Sequence, residues 1–203
     1  MSSSSGTHEY LENMGKPNWP GPVSLDTFLY PEPDTELDVF LVVVRGQAPR
    51  VGTLAPHDQH WMFQWTIGRT RTDSLPVLRR LQIVQEKNLM GQGDLNHLTN
   101  WGAVTVVGEK STLDDEVNIL LKSMTPEQRR EFETVSNGTR VRKPDGHWNC
   151  QDWCKTVLET AVERSVLTQP EVDLAVQSAE EVEIRPYTRE ILWTSFQHKD
   201  ISY

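Results

Sequence analysis

A chain of 203 residues with 20 Lys and Arg against 29 Asp and Glu carries a net charge of −9; it lacks the basic surface that phosphate backbones and anionic bilayers require, so nucleic acid is not an expected partner. With 36% hydrophobic and 24% charged residues, the composition is that of a globular protein, and the length suits a single core. No apolar run of about 18 residues is present to span a bilayer, and the start Met1-Ser2-Ser3-Ser4-Ser5-Gly6 has no basic or apolar leader region, so a cytoplasmic location is expected.

Residues 1–34 combine a serine run with the proline-rich stretches Lys16–Pro22 and Tyr30–Asp34 and lack hydrophobic periodicity. Proline removes ladder donors and biases its neighbours to extended forms, so this part reads as an arm that wraps a single α+β domain over 35–203. Leu37–Arg45, β-branched and almost continuously apolar, predicts a central strand. Further strands are expected over His60–Ile67, Leu78–Gln85 and Ala103–Val107, the last after the turn-rich Gly91–Asp94.

Helices are expected from there on. Thr112 with Asp115 resembles a capping box before Val117, Ile119, Leu120 and Leu121, and Thr125-Pro126-Glu127-Gln128 is a stronger one. Asn137-Gly138 reads as a turn. The longest helix is predicted over Cys150–Leu167 with Asn149 as N-cap, and Pro170 opens another to about Glu181. The fold class is α+β, an antiparallel sheet of about four or five strands packed against helices.

The two cysteines, Cys150 and Cys154, stand four apart on a helix, a placement that disfavours a disulfide. Cys150 falls in the first helical turn, where free N–H groups and the positive dipole end favour a thiolate. It also shares an apolar stripe with Trp153, Cys154, Val157, Leu158 and Ala161, so packing is the competing explanation. A nucleophilic thiol needs a base. Of the six histidines, His60 opens a strand and can present its ring rigidly, whereas His8 and His198 sit in polar terminal segments and His57, His97 and His147 in loops.

Zinc is a weaker reading, since His57, His60, Cys150 and Cys154 lack a knuckle spacing. No metal or other cofactor is expected. Neither a glycine-rich phosphate loop nor a nucleophile elbow is present. Seven tryptophans occur; of these, Trp61, Trp65, Trp148 and Trp153 are the candidates to line a substrate pocket, with core packing as the alternative.

His60-Trp61-Met62-Phe63-Gln64-Trp65-Thr66-Ile67-Gly68, followed far downstream by Asn149-Cys150-Gln151-Asp152-Trp153, resembles permuted papain-like proteins of the lecithin:retinol acyltransferase type. The Asn-Cys-Gln-Asp-Trp segment is also similar to one in small fungal proteins, some of them associated with natural-product pathways. The likeness covers roughly residues 36–168. It implies a permuted papain-like fold and a thiol that carries out acyl transfer or hydrolysis on a small molecule, with Cys150 as nucleophile and His60 as base. The family's second polar residue, often histidine, that orients the imidazole has no histidine counterpart between His60 and His97; Gln82 or Gln85 could take that place. Two other function classes compete: a non-covalent biosynthetic cyclase with a Trp-lined pocket, in which Cys150 only packs, and a non-catalytic binding module. The sequence leaves the oligomeric state open.

Overall fold

The computed structural model describes residues 9–18, 21–25, 29–45, 59–85, 95–109, 113 and 115–183. His8, His57, His198, Trp19, Trp193, Thr112 and the Gly91–Asp94 turn lie outside the described residues. In chain order the strands are β1 (Leu37–Val44), β2 (His60–Arg69), β3 (Pro76–Leu81), β4 (Ile83–Val84), β5 (Thr99–Asn100), β6 (Val104–Val107) and β7 (Glu116–Met124). The helices are α1 (Pro126–Gly138), α2 (Cys150–Glu163) and α3 (Gln169–Glu180).

Five strands form one antiparallel sheet in the order β6-β3-β2-β1-β7, so the chain is α+β. The apolar run of β1 takes an interior position, with Val39, Leu41, Val42 and Val43 fully buried. Successive side chains alternate between the two faces of a strand. Along β2 this sends Trp61, Phe63, Trp65 and Ile67 into the cluster shared with the helices. There the Phe63 ring lies 5.0 Å from Phe132 of α1 and 6.2 Å from Trp153 of α2. The opposite parity carries His60, Met62 and Gln64, and Gln64 joins Arg80, Glu116 and Asn118 in a hydrogen-bonded row across three strands.

Three expectations are corrected. Glu116–Met124 is a strand, not a helix: Ile119 and Leu121 turn inward while Asn118 and Leu120 are exposed, a period of two that fits the free side of β1. The capping-box signature there was a local pattern that pairing with β1 overrides. The segment 78–85 is likewise not one strand. It breaks at Gln82, after which Ile83–Val84 pairs with Thr99–Asn100 in a separate ribbon. The expected turn at Asn137-Gly138 is the last turn of α1, which ends at the C-cap Thr139.

The described parts of residues 9–34 are bound to the domain. Leu11, Leu25 and Tyr30 pack on the core. Arg129, 1% exposed, donates to the Glu32 carboxylate and to the carbonyls of Pro33, Thr35 and Met124. Trp65 Nε1 donates to the same carboxylate at 2.9 Å. Gly15 has φ +75°, and a Cβ there would stand 2.7 Å from the carbonyl oxygen of Leu98; its own carbonyl accepts from His97 Nε2 and Thr99 Oγ1. This contact sets the chain against β5, beside the site described next.

Candidate active site

The start of α2 is fixed by its own sequence. Asn149 Oδ1 accepts from the amides of Gln151, at 2.8 Å, and Asp152, while Asp152 Oδ2 accepts from the Asn149 amide at 3.0 Å. This reciprocal cap satisfies orphan donors of the first turn and leaves Cys150 as the first helical residue. Just upstream, Asp145 Oδ1 accepts from the amides of His147 and Trp148 and turns the loop into the helix.

Strand β2 supplies the other half. His60, its first residue, lines the same cavity as Cys150 and lies close enough for each to shift the other's protonation, although 90 residues separate them in the chain. The other visible contact of the ring is Nε2–H donated to Gln82 Oε1 at 2.9 Å. That tautomer carries its lone pair on Nδ1, the nitrogen that takes a proton. Gln82 reaches the ring from the corner where β3 leaves the sheet, so the break in the expected strand is part of the site's construction.

The electrostatics of the pair run in opposite directions. Burial pushes the Cys150 thiol up, but the hydrogen bond and charge of His60, with the amides of Trp61 and of Cys150 itself, outweigh it and hold the thiol below its ordinary value. Burial pulls His60 down, and Arg80 adds to this; the hydrogen bonds to Cys150 and Gln82 and the attraction of the sulfur prevail and raise it. Both shifts favour thiolate beside imidazolium. The Gln59 carbonyl, 3.7 Å from Sγ, is the competing acceptor for the neutral thiol.

Cys150, His60, Gln82 and Asn149 line a cavity of about 470 Å³, whose apolar wall includes Ile83 and Leu98. Gln85 lines it too, but its side chain donates to the Leu95 carbonyl, so the partner of the imidazole is Gln82. Cys154 is fully buried and its thiol is pushed well up by burial and by Cys150; it packs in the core. Among the described residues no three His, Cys, Asp or Glu side chains converge to hold a metal, and His57 of the zinc reading lies outside them.

The tryptophan expectation is corrected at this cavity. Trp61, Trp65 and Trp153 are at most 1% exposed, buried in the sheet–helix core, and none lines the cavity at Cys150. Trp148 instead lines two neighbouring cavities, of about 430 and 160 Å³. Sequence reasoning missed Gln59 and Gln151. Gln59, 2% exposed, donates to the Val182 carbonyl, and Gln151 Nε2 donates to the Gln59 carbonyl at 3.0 Å. These bonds bind the start of β2 to the start of α2. The available signal was two glutamines adjacent to the two candidate residues, His60 and Cys150.

Among the described residues no helix is long and apolar enough to cross a membrane. Comparison of the chain with the models of known protein families, with curated proteins and with solved structures finds no match to any of them.

Proposed function

We propose that the protein is a thiol enzyme that transfers or hydrolyses an acyl group on a small molecule, with Cys150 as nucleophile, His60 as base and Gln82 as the residue that orients the imidazole. The observation that carries this reading is the His60–Cys150 pair, whose two protonation equilibria are displaced toward the ion pair on the wall of a cavity. A cysteine kept only for packing has no need of a partly buried histidine held by a glutamine. Cys154, four residues on, is such a packing cysteine, and its thiol is pushed in the opposite direction.

In this reading the thiolate attacks the acyl carbonyl, forming a carbon–sulfur bond, and the amide of Cys150 at the helix N-terminus helps hold the oxyanion. As the carbon–heteroatom bond breaks, the imidazolium of His60 donates its proton to the leaving group. Water or an acceptor alcohol or amine then gives its proton to His60 and releases the acyl group from sulfur. The order of a strand-borne histidine before a helix-borne cysteine supports a permuted papain-like arrangement.

The test is the pH dependence of iodoacetamide alkylation, resolved by peptide mass spectrometry, together with trapping of an acylated Cys150 by an activated ester. The reading predicts alkylation of Cys150 with a midpoint below the free-thiol value of about 8.5, an upward move of that midpoint in His60→Ala, and an acyl adduct confined to Cys150. Alkylation of both cysteines only on unfolding would refute it.

A further inference from the structure

A second cavity, about 430 Å³, opens between the end of α1 and the outer face of α2, and it contains Arg140, Arg142 and Arg164 with one carboxylate, Glu131. Three guanidinium groups against one carboxylate leave a surplus of two positive charges, in a chain whose net charge is −9. Among the described residues only Arg164 has an ion-pair partner there, Glu131 at 3.3 Å. Arg140 and Arg142 rest on aromatic faces, 4.3 Å from the Tyr10 ring centroid and 5.9 Å from that of Trp148. A guanidinium laid on a ring keeps its in-plane N–H donors for a ligand, a geometry suited to the oxygens of a phosphate. Trp148 lines the same cavity, and its buried Nε1 has no hydrogen-bond partner among the described residues.

This cavity and the one at the thiol border a common third cavity. A smaller cavity of about 160 Å³ shares Arg142 and Trp148 with it and shares Gln85 and Leu98 with the cavity at Cys150. We infer that the arginine cavity binds a phosphate group of the substrate, so that the acyl donor of Cys150 is a phosphate ester lying past Trp148 with its acyl carbon at the sulfur. The link to acyl chemistry rests on the thiol-enzyme reading above; the anion site does not. A soluble phosphate ester is the source, because a protein this acidic is repelled from an anionic bilayer.

The probes are an N-(hydroxyalkyl)bromoacetamide and its phosphate monoester of the same chain length. In each, the Cys150 thiolate displaces bromide from the bromomethyl carbon, forming a carbon–sulfur bond and releasing bromide ion. The phosphorylated reagent should label Cys150 about tenfold faster than the neutral one, a preference of the size that charge-assisted arginine contacts supply. Arg142→Gln should bring the ratio toward one, as should the exposed Arg164→Gln if the first variant folds poorly, and inorganic pyrophosphate should abolish the preference. Equal rates in the parent protein, or a ratio that the arginine substitutions leave alone, overturn the inference. Anionic phospholipid vesicles that block labelling where pyrophosphate does not overturn the soluble source. Calorimetric titration with pyrophosphate separates the two readings: saturable binding weakened by Arg142→Gln, with no labelling of Cys150, rejects the thiol enzyme and upholds the anion site.

Discussion

Of the polar clusters on strand β2, those at His60 and at Trp65 are built on opposite principles. At Trp65 the buried Arg129 guanidinium meets one carboxylate and three carbonyls, and the indole donates to the same carboxylate. Fixed charge is matched by fixed acceptors, beside a cavity of about 550 Å³ that Glu32 and Pro33 line. At His60 the two charged partners are groups that exchange a proton, both displaced toward ionisation, with a cavity on one side. The first cluster holds the proline-rich segment to the sheet. The second is the proposed reactive site. A buried polar group whose partners are complete is a structural clamp, whereas one whose proton can move is a candidate for chemistry.

The comparison is tested most severely by Arg129→Met. It removes the cation from the Glu32 carboxylate, to which Trp65 still donates, and the donor from three carbonyls, and the expected loss of stability is about 3–5 kcal/mol, read as a lower urea midpoint with an unchanged slope. A loss below about 1 kcal/mol would mean that the clamp is dispensable. The same variant, if it folds, should keep the low alkylation midpoint of Cys150, since the clamp and the site share no hydrogen bond.

His60→Ala should do the reverse. With the imidazole gone, burial of the sulfur is opposed only by backbone amides, so the Cys150 midpoint rises and alkylation at neutral pH falls by about tenfold or more, with a smaller change in unfolding free energy than Arg129→Met. In the parent protein the sign follows from the shifts: alkylation climbs as the pH rises through the lowered thiol midpoint, whereas proton donation by His60 persists until the pH passes its raised midpoint. Acyl transfer should therefore show a bell whose limbs belong to the pair rather than to either residue. A single-limbed profile would contradict a shared proton.

Gly15→Ala tests the wall between the two behaviours. A Cβ 2.7 Å from the Leu98 oxygen on a backbone at φ +75° should cost about 1–3 kcal/mol and disturb the cavity that Leu98 lines. Gln82→Ala is expected to have the mildest effect. Loss of its hydrogen bond lowers His60 and so raises Cys150, and alkylation should slow several-fold, about the effect of one net hydrogen bond. Gln82→Glu, which restores the acceptor with a charge, should return the rate; failure of that rescue would argue that Gln82 only fills space.

Much of the local structure was legible. Asn149 and Asp152 had the signature of a reciprocal cap, and Thr125 with Gln128 had another, because capping is an interaction across three residues. The Glu116–Met124 stretch misled for the complementary reason. Thr112, Asp115 and four apolar residues match a helix start, and only the open side of β1 makes a period of two the better solution. The cation clamp was invisible, since Arg129 and Glu32 are 97 residues apart and neither has a local signature.

What the sequence determined by itself was the set of local decisions: an interior strand at Leu37–Val44, helix starts at Pro126 and Cys150, and a thiol at a helix N-terminus. Tertiary structure alone decided which glutamine meets the imidazole, that three tryptophans pack in the core away from the cavity at Cys150, and that the two cysteines of one helix are driven in opposite directions. The physical reason is range. Caps and periodicity act over a few residues and are written in neighbouring positions, whereas burial and the pairing of charges depend on which distant strand is brought within about 3 Å of a side chain.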